Sequence, residues 1–192
     1  MDKKDITKTV KALTVAAAAG LILSLTIIGI RDSAQETAPA ASMETETVED
    51  NGLDVPGGDT SFKSYMDYRC ITNRESAQYK LQQICTTDAH GLRRTSGGDY
   101  VIAVGSFYSS TVGERFRITT EGGEFCATVG DLKADAHTNS THQYTAMDNG
   151  MKNVIEFVVD VDALDETAKV MGDISYVDDK FEGNVERIEK IE

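Results

Sequence analysis

Two kinds of hydrophobic pattern divide this chain. From Ala12 to Ile30 the residues carry no charge, Ala-rich at first and then rich in Leu and Ile through LILSLTIIGI. At 1.5 Å per residue the run is about 28 Å long, close to the roughly 30 Å hydrocarbon core of a bilayer. Lys3, Lys4, Lys8 and Lys11 precede it. Basic residues favour the cytoplasmic side, so the pattern predicts a cytoplasmic tail over 1–11, a single-pass transmembrane anchor over 12–30 and a C-terminal domain outside the membrane. A cleaved signal peptide shares the charged start and apolar centre. The run is long for one, and the nearest small-residue pattern, Ala38-Pro39-Ala40, comes several polar residues too late.

Beyond Ser61 the apolar runs are short, rich in β-branched and aromatic residues, and separated by turn signals. They predict strands over Ser64–Thr72, Tyr79–Ile84, Tyr100–Val104, Phe116–Thr120, Phe125–Val129, Val154–Asp160, Ile174–Val177 and Val185–Ile191. Glu121-Gly122-Gly123 reads as a hairpin turn. One short helix is expected over Ala163–Met171, with Asp162 as its N-cap and Gly172 just past its end. The sequence thus predicts a mostly β fold, a small barrel of six to eight strands with one helix, because closure removes exposed strand edges.

Between anchor and domain, residues 31–61 hold both prolines and few large apolar side chains, and Arg31 stands against eight acids. Such a segment is expected to be a disordered acidic linker, leaving 62–192 as the folded domain. The chain has 192 residues and a net charge of −13; residues 1–30 carry +2, so the rest carries −15. That acidity repels phosphate backbones and makes nucleic acid an unsuitable partner. No phosphate-cradling Gly-rich loop, Gly-x-Ser-x-Gly elbow or Cys-x-x-Cys pair is present, and no cofactor is expected.

The candidate chemistry lies in carboxylates. A period of two sets Phe125, Ala127, Val129 and Asp131 on one face of a strand, so an acid ends a core-facing row. Asp131 either caps a turn or projects into a cleft where apolar neighbours raise its proton affinity. On the strand ending at Asp160, Glu156 and Asp160 share the face of Val154 and Val158. If the two strands are close, their acids meet at one mouth of the barrel, as a general-acid site for cleaving a sugar bond requires. Asp135, His137 and His142 crowd one loop, DAHTNSTH, without the spacing of a zinc site, so no metal is expected. Of three cysteines, Cys70 and Cys85 can link two neighbouring candidate strands, or all three remain free thiols.

The runs Tyr100–Gly105 (YVIAVG), Val112–Ile118 (VGERFRI) and Phe125–Asp131 (FCATVGD) resemble the double-psi β-barrel domains of bacterial cell-wall proteins. Within that group the match, over about residues 100–160, is similar to the 3D domains and to the catalytic barrel of lytic transglycosylases. The resemblance implies an extracytoplasmic protein that binds and cleaves peptidoglycan glycan strands, with Asp131 as catalytic acid and Asp160 as its electrostatic partner. Asp135, His137 and Glu156 would then be binding residues. Gly105 stands where those domains carry their first Asp, and Asp131-Leu132-Lys133 replaces their Asp-Thr-Gly. The segments SYMDYR, KADAHT and VIEFVVD also look like a membrane-anchored domain of Gram-positive bacteria with no assigned activity. A non-catalytic module that binds wall polymer or a partner protein is the alternative.

Overall fold

The computed structural model describes residues 51–192, so the expected tail, anchor and most of the linker lie outside the described residues. Among the described residues no helix is long and apolar enough to cross a membrane.

Among the described residues, eleven strands and two α-helices make the fold mostly β: β1 (Gly52–Leu53), β2 (Ser64–Asp67), α1 (Ala77–Ile84), β3 (Thr86–Thr87), β4 (Arg93–Arg94), β5 (Tyr100–Val104), β6 (Arg115–Thr120), β7 (Gly123–Leu132), β8 (Thr145–Ala146), β9 (Lys152–Asn153), β10 (Glu156–Val159), α2 (Glu166–Met171) and β11 (Val185–Ile191). Along the main sheet the order is β1-β11-β6-β7-β5-β10-β2, with β4 joining β5 and β3 joining β4; β8 and β9 form a separate hairpin. Most neighbours are antiparallel, but β5 with β7 and β10 with β2 run parallel. The expected barrel is not formed. The sheet stays open between β1 and β2, outer strands of only two and four residues.

The central strand β5 is buried on both faces, which is why it reads as an unbroken apolar run. Ile102 and Val104 point into the main core with Phe125, Ala127 and Val129 of β7. There the rings of Tyr100, Phe125, Phe157 and Phe181 meet at centroid distances of 4.9–6.0 Å, within the range of favourable aromatic pairing. Val101 faces the other way and shares a smaller core with Cys85 and Val158, against which Leu81 of α1 packs. The two-residue turn Glu121-Gly122 joins β6 to β7 as the glycines suggested. Gly122 is needed there because a Cβ would come within 1.9 Å of the Asp179 carbonyl oxygen.

Four expected elements differ. Ser64–Thr72 is a strand only as far as Asp67, which caps a 3-10 turn over Tyr68–Cys70 by accepting from Arg69 N at 2.9 Å. Tyr79–Ile84 belongs to helix α1 rather than a strand: Ser76 caps it by accepting from Tyr79 N at 3.1 Å, and Ala, Lys, Leu and Gln are good helix formers. Ile174–Tyr176 is a 3-10 turn capped by Asp173, which accepts from Ser175 N at 2.9 Å. The second helix starts at Glu166, with Asp165 rather than Asp162 as N-cap, because Ala163 and Asp162 are held in a turn by the Asp160 backbone and side chain. Gly172 ends it in the left-handed region, at φ 69°.

Residues 52–61, read from sequence as the end of the linker, lie on the domain. β1 pairs with Ile188 and Glu189, Asp54 O accepts from the Tyr108 hydroxyl at 3.1 Å, and Thr60 is buried. The next residues are anchored by Lys63, whose side chain is fully enclosed. Its Nζ donates to Ser61 O at 3.0 Å and Gly183 O at 2.8 Å, and burial lowers the amine to about 8. A lysine that gives up its proton more readily folded than unfolded destabilises the fold while it is charged. Stability from this group should therefore rise as pH climbs from about 8 towards the ordinary value of 10.5. Urea unfolding over that window should show a shallower pH slope in Lys63→Met than in the wild type; equal slopes would remove Lys63 as the cause.

Candidate functional site

Strand β7 contains one residue too many for its partner. Thr128 and Val129 pair with Val101 and Ile102, but Ala103 pairs with Asp131, so Gly130 forms a bulge. A side chain at Gly130 would not fit, since a Cβ would lie 2.1 Å from Val101 Cγ1 with Leu81 and Gln82 of α1 close behind. The bulge shifts the alternation by one. Phe125, Ala127 and Val129 face the core as the period of two predicts, but Asp131 turns to the opposite face, that of Thr128 and Ala103.

That face carries a row of side chains across four adjacent strands. Ala103 pairs with Asp131 on one side and with Glu156 of β10 on the other, and Glu156 pairs with Ser64 of β2. Asp131 and Glu156 are thus two strand spacings apart, about 10 Å between their backbones, with only the small Ala103 side chain between them. They open on a cleft of about 570 Å³, also lined by Ser64, Lys133, Asn153 and His137.

The cleft wall is internally bonded. Ser64 Oγ donates to Glu156 Oε1 at 2.9 Å and accepts from Asn153 Nδ2 at 2.6 Å. Lys133 Nζ donates to Asn153 O at 2.7 Å, and burial lowers this amine to about 8, opposed by the negative charge of Glu156. Burial also raises the Asp131 carboxyl above its ordinary value. The Leu132 amide and Gln78 of α1 oppose that shift by hydrogen bonding, and the Glu156 charge adds to it. Asp131 therefore holds its proton more tightly than an ordinary carboxyl does, beside an open cleft.

Of the residues singled out from sequence, the structure brings Asp131, Glu156 and His137 to this cleft. Asp160 is at the other end of β10, four residues or about 13 Å along the strand from Glu156. Its backbone N donates to Gly91 O at 2.8 Å, and its carboxylate accepts from Asp162 N at 3.2 Å and lies 3.9 Å from Arg69. Those contacts make it a turn-forming acid beyond reach of Asp131. Asp135 opens the 3-10 turn Asp135–His137, where it accepts from Ser106 Oγ at 2.7 Å; its carboxylate lies 3.6 Å from His142 Nδ1. It borders the cleft through its chain neighbours rather than lining it. No group of three His, Cys, Asp or Glu side chains able to hold a metal ion occurs among the described residues. Cys70 is exposed and Cys85 is buried, and both, like Cys126, are free thiols.

Gly105, the position of the first Asp in the resembled domains, is occupied for a packing reason. A Cβ there would come within 1.9 Å of His142 O, so the 138–144 loop can lie across it only if the residue is glycine. Sequence reasoning passed over Ser64, Asn153, Gln78 and Lys133. Only Lys133 left a trace, two residues beyond Asp131 and so on its side of an extended chain.

In comparisons with known proteins, no family model, no curated protein and no solved structure matches the chain.

Proposed function

We propose that this is a membrane-anchored, extracytoplasmic cell-wall protein whose cleft binds peptidoglycan glycan strands and cleaves them, with Asp131 as general acid. The observation that carries the reading is the alignment of Asp131 and Glu156 across Ala103 at an open cleft, with burial raising the Asp131 carboxyl above its ordinary value. A general acid is helped by a shift in that direction, and a cationic sugar transition state by a second carboxylate nearby. In this reading Glu156 takes the electrostatic role that the resemblance assigned to Asp160.

The Asp131 proton passes to the glycosidic oxygen as the bond from that oxygen to the anomeric carbon breaks. The sugar's own primary hydroxyl then attacks the anomeric carbon and returns its proton to the Asp131 carboxylate. An anhydro ring forms, no water is consumed and the acid is regenerated.

The test is incubation of the full chain with purified peptidoglycan and mass spectrometry of the soluble products. Anhydro-sugar fragments support cleavage. Co-sedimentation with intact wall and no fragments leaves a wall-binding module, and neither result leaves no role for the wall.

A further inference from the structure

Helix α1 also lines another cavity, between itself and the 3-10 turn Tyr68–Cys70 that follows β2. It holds about 320 Å³ and shares no lining residue with the Asp131 cleft. Its apolar walls are Tyr68 and Ile71 on one side and Tyr79 of α1 on the other, all half-buried. Gln83 stands one helical turn beyond Tyr79 on the same face. The buried Arg93 guanidinium lies 4.4 Å from the Tyr68 ring centroid and holds that wall in place.

The polar groups around this cavity are unused. Among the described residues, Thr72, Gln83 and the hydroxyls of Tyr68 and Tyr79 make no side-chain hydrogen bond. Arg74, also in the lining, has no partner there either. Every other described arginine contacts a carboxylate or, for Arg93, interior carbonyl oxygens. The acids near Arg74 are engaged elsewhere: Glu75 lies 3.7 Å from Lys80, and Asp67 and Asp162 are bonded to Arg69. An unpaired guanidinium is thus left beside aromatic walls in the part of the chain that carries −15.

We infer that this cavity binds the C-terminal aromatic residue of a peptide. A volume of about 320 Å³ is at the small end for ligand pockets and suits one ring. That ring would lie between Tyr68 and Tyr79, whose faces and edges favour aromatic partners. The planar fork of Arg74 matches a carboxylate in two parallel hydrogen bonds. Gln83 and Thr72 each donate and accept, as the last peptide group of such a chain requires. The site is separate from the cleft, and neither reading needs the other. A merely solvated Arg74 would not distinguish a carboxylate from its amide.

The full chain in detergent would be titrated by NMR with acetyl-Ala-Phe, its C-terminal amide and acetyl-Ala-Ala. The free acid should bind about tenfold more tightly than the amide, as one charge-assisted contact at a partly exposed site provides. It should exceed the alanine peptide by about tenfold or more through burial of the ring. Amide shifts should centre on Tyr79, Gln82 and Gln83. Arg74 is exposed, so its substitution keeps the fold. Arg74→Gln should abolish the preference for the acid and leave the affinity for the amide unchanged, Arg74→Lys should retain the preference, and Tyr79→Ala should weaken both Phe peptides. Equal affinity for acid and amide, a preference that survives Arg74→Gln, shifts confined to the Asp131 cleft, or no binding of any peptide would overturn the proposal. None of these results bears on the glycan reading, which wall digestion tests.

Discussion

Asp131→Asn should lower the release of anhydro-sugar fragments by about 10²- to 10⁴-fold, the usual contribution of a positioned general acid. The amide preserves size and hydrogen bonding but has no proton to give. The same substitution should make the folded domain more stable at neutral pH. Burial raises the Asp131 carboxyl above its ordinary value of 3.8, so the folded state binds this proton more tightly than the unfolded chain does. Stability from the group is full below the unfolded value, falls as pH rises through the folded one, and is lowest above both. Asn removes that penalty at neutral pH and gains nothing in acid. A loss of turnover with a melting temperature equal or higher would mark Asp131 as a functional acid held at the expense of stability. An unchanged rate would end its candidacy.

Arg93→Met should cost about 3 kcal/mol or more and lower the melting temperature by roughly 10 °C. Arg93 is buried and holds the end of α1 by itself: one amino group donates to Gln82 O at 2.7 Å and Cys85 O at 2.9 Å, and Nε donates to Gln82 Oε1 at 3.2 Å. Its other amino group donates to Thr87 Oγ1 at 2.9 Å, and the guanidinium lies 4.4 Å from the Tyr68 ring centroid. Methionine fills most of the volume but leaves those acceptors unpaired in the interior, at about 1–3 kcal/mol for each that finds no water. Because α1 carries Gln78 and lies against the Gly130 bulge, glycan release should weaken alongside stability. Thermal melting followed by circular dichroism would measure the change; a shift of only a degree or two would show that water or another donor replaces the guanidinium.

The strands Tyr100–Val104 and Val185–Ile191 have the predicted bounds: the first is buried on both faces and reads as one apolar run, and the second carries three β-branched residues, Val185, Ile188 and Ile191, between charged ones. Helix α1 was not legible: in eight residues Tyr79, Leu81 and Ile84 look like a strand, and Ser76 and Arg93, the groups that cap its ends, lie outside the run. Barrel closure was over-read, since no local pattern reveals how short the outer strands β1 and β2 are. Within the site, Asp131 and Glu156 could be picked out as acids on apolar strands. Their meeting depends on the pairing of β5 with both β7 and β10, and Ser64 joins them through contacts with Asn153 and Glu156, 89 and 92 residues away in sequence.

The bulge at Gly130 acts as a phase shift in the chain. Before it, odd-numbered residues of β7 belong to the oily interior; after it, the odd-numbered Asp131 and Lys133 line the cleft, while Leu132 packs against the core. Removing that single glycine would leave every other residue in place in the sequence and yet exchange the two sides, turning the acid and the lysine towards the core and Leu132 away from it. The polarity of the whole site is thus written in the length of one strand rather than in the identity of the residues it displays.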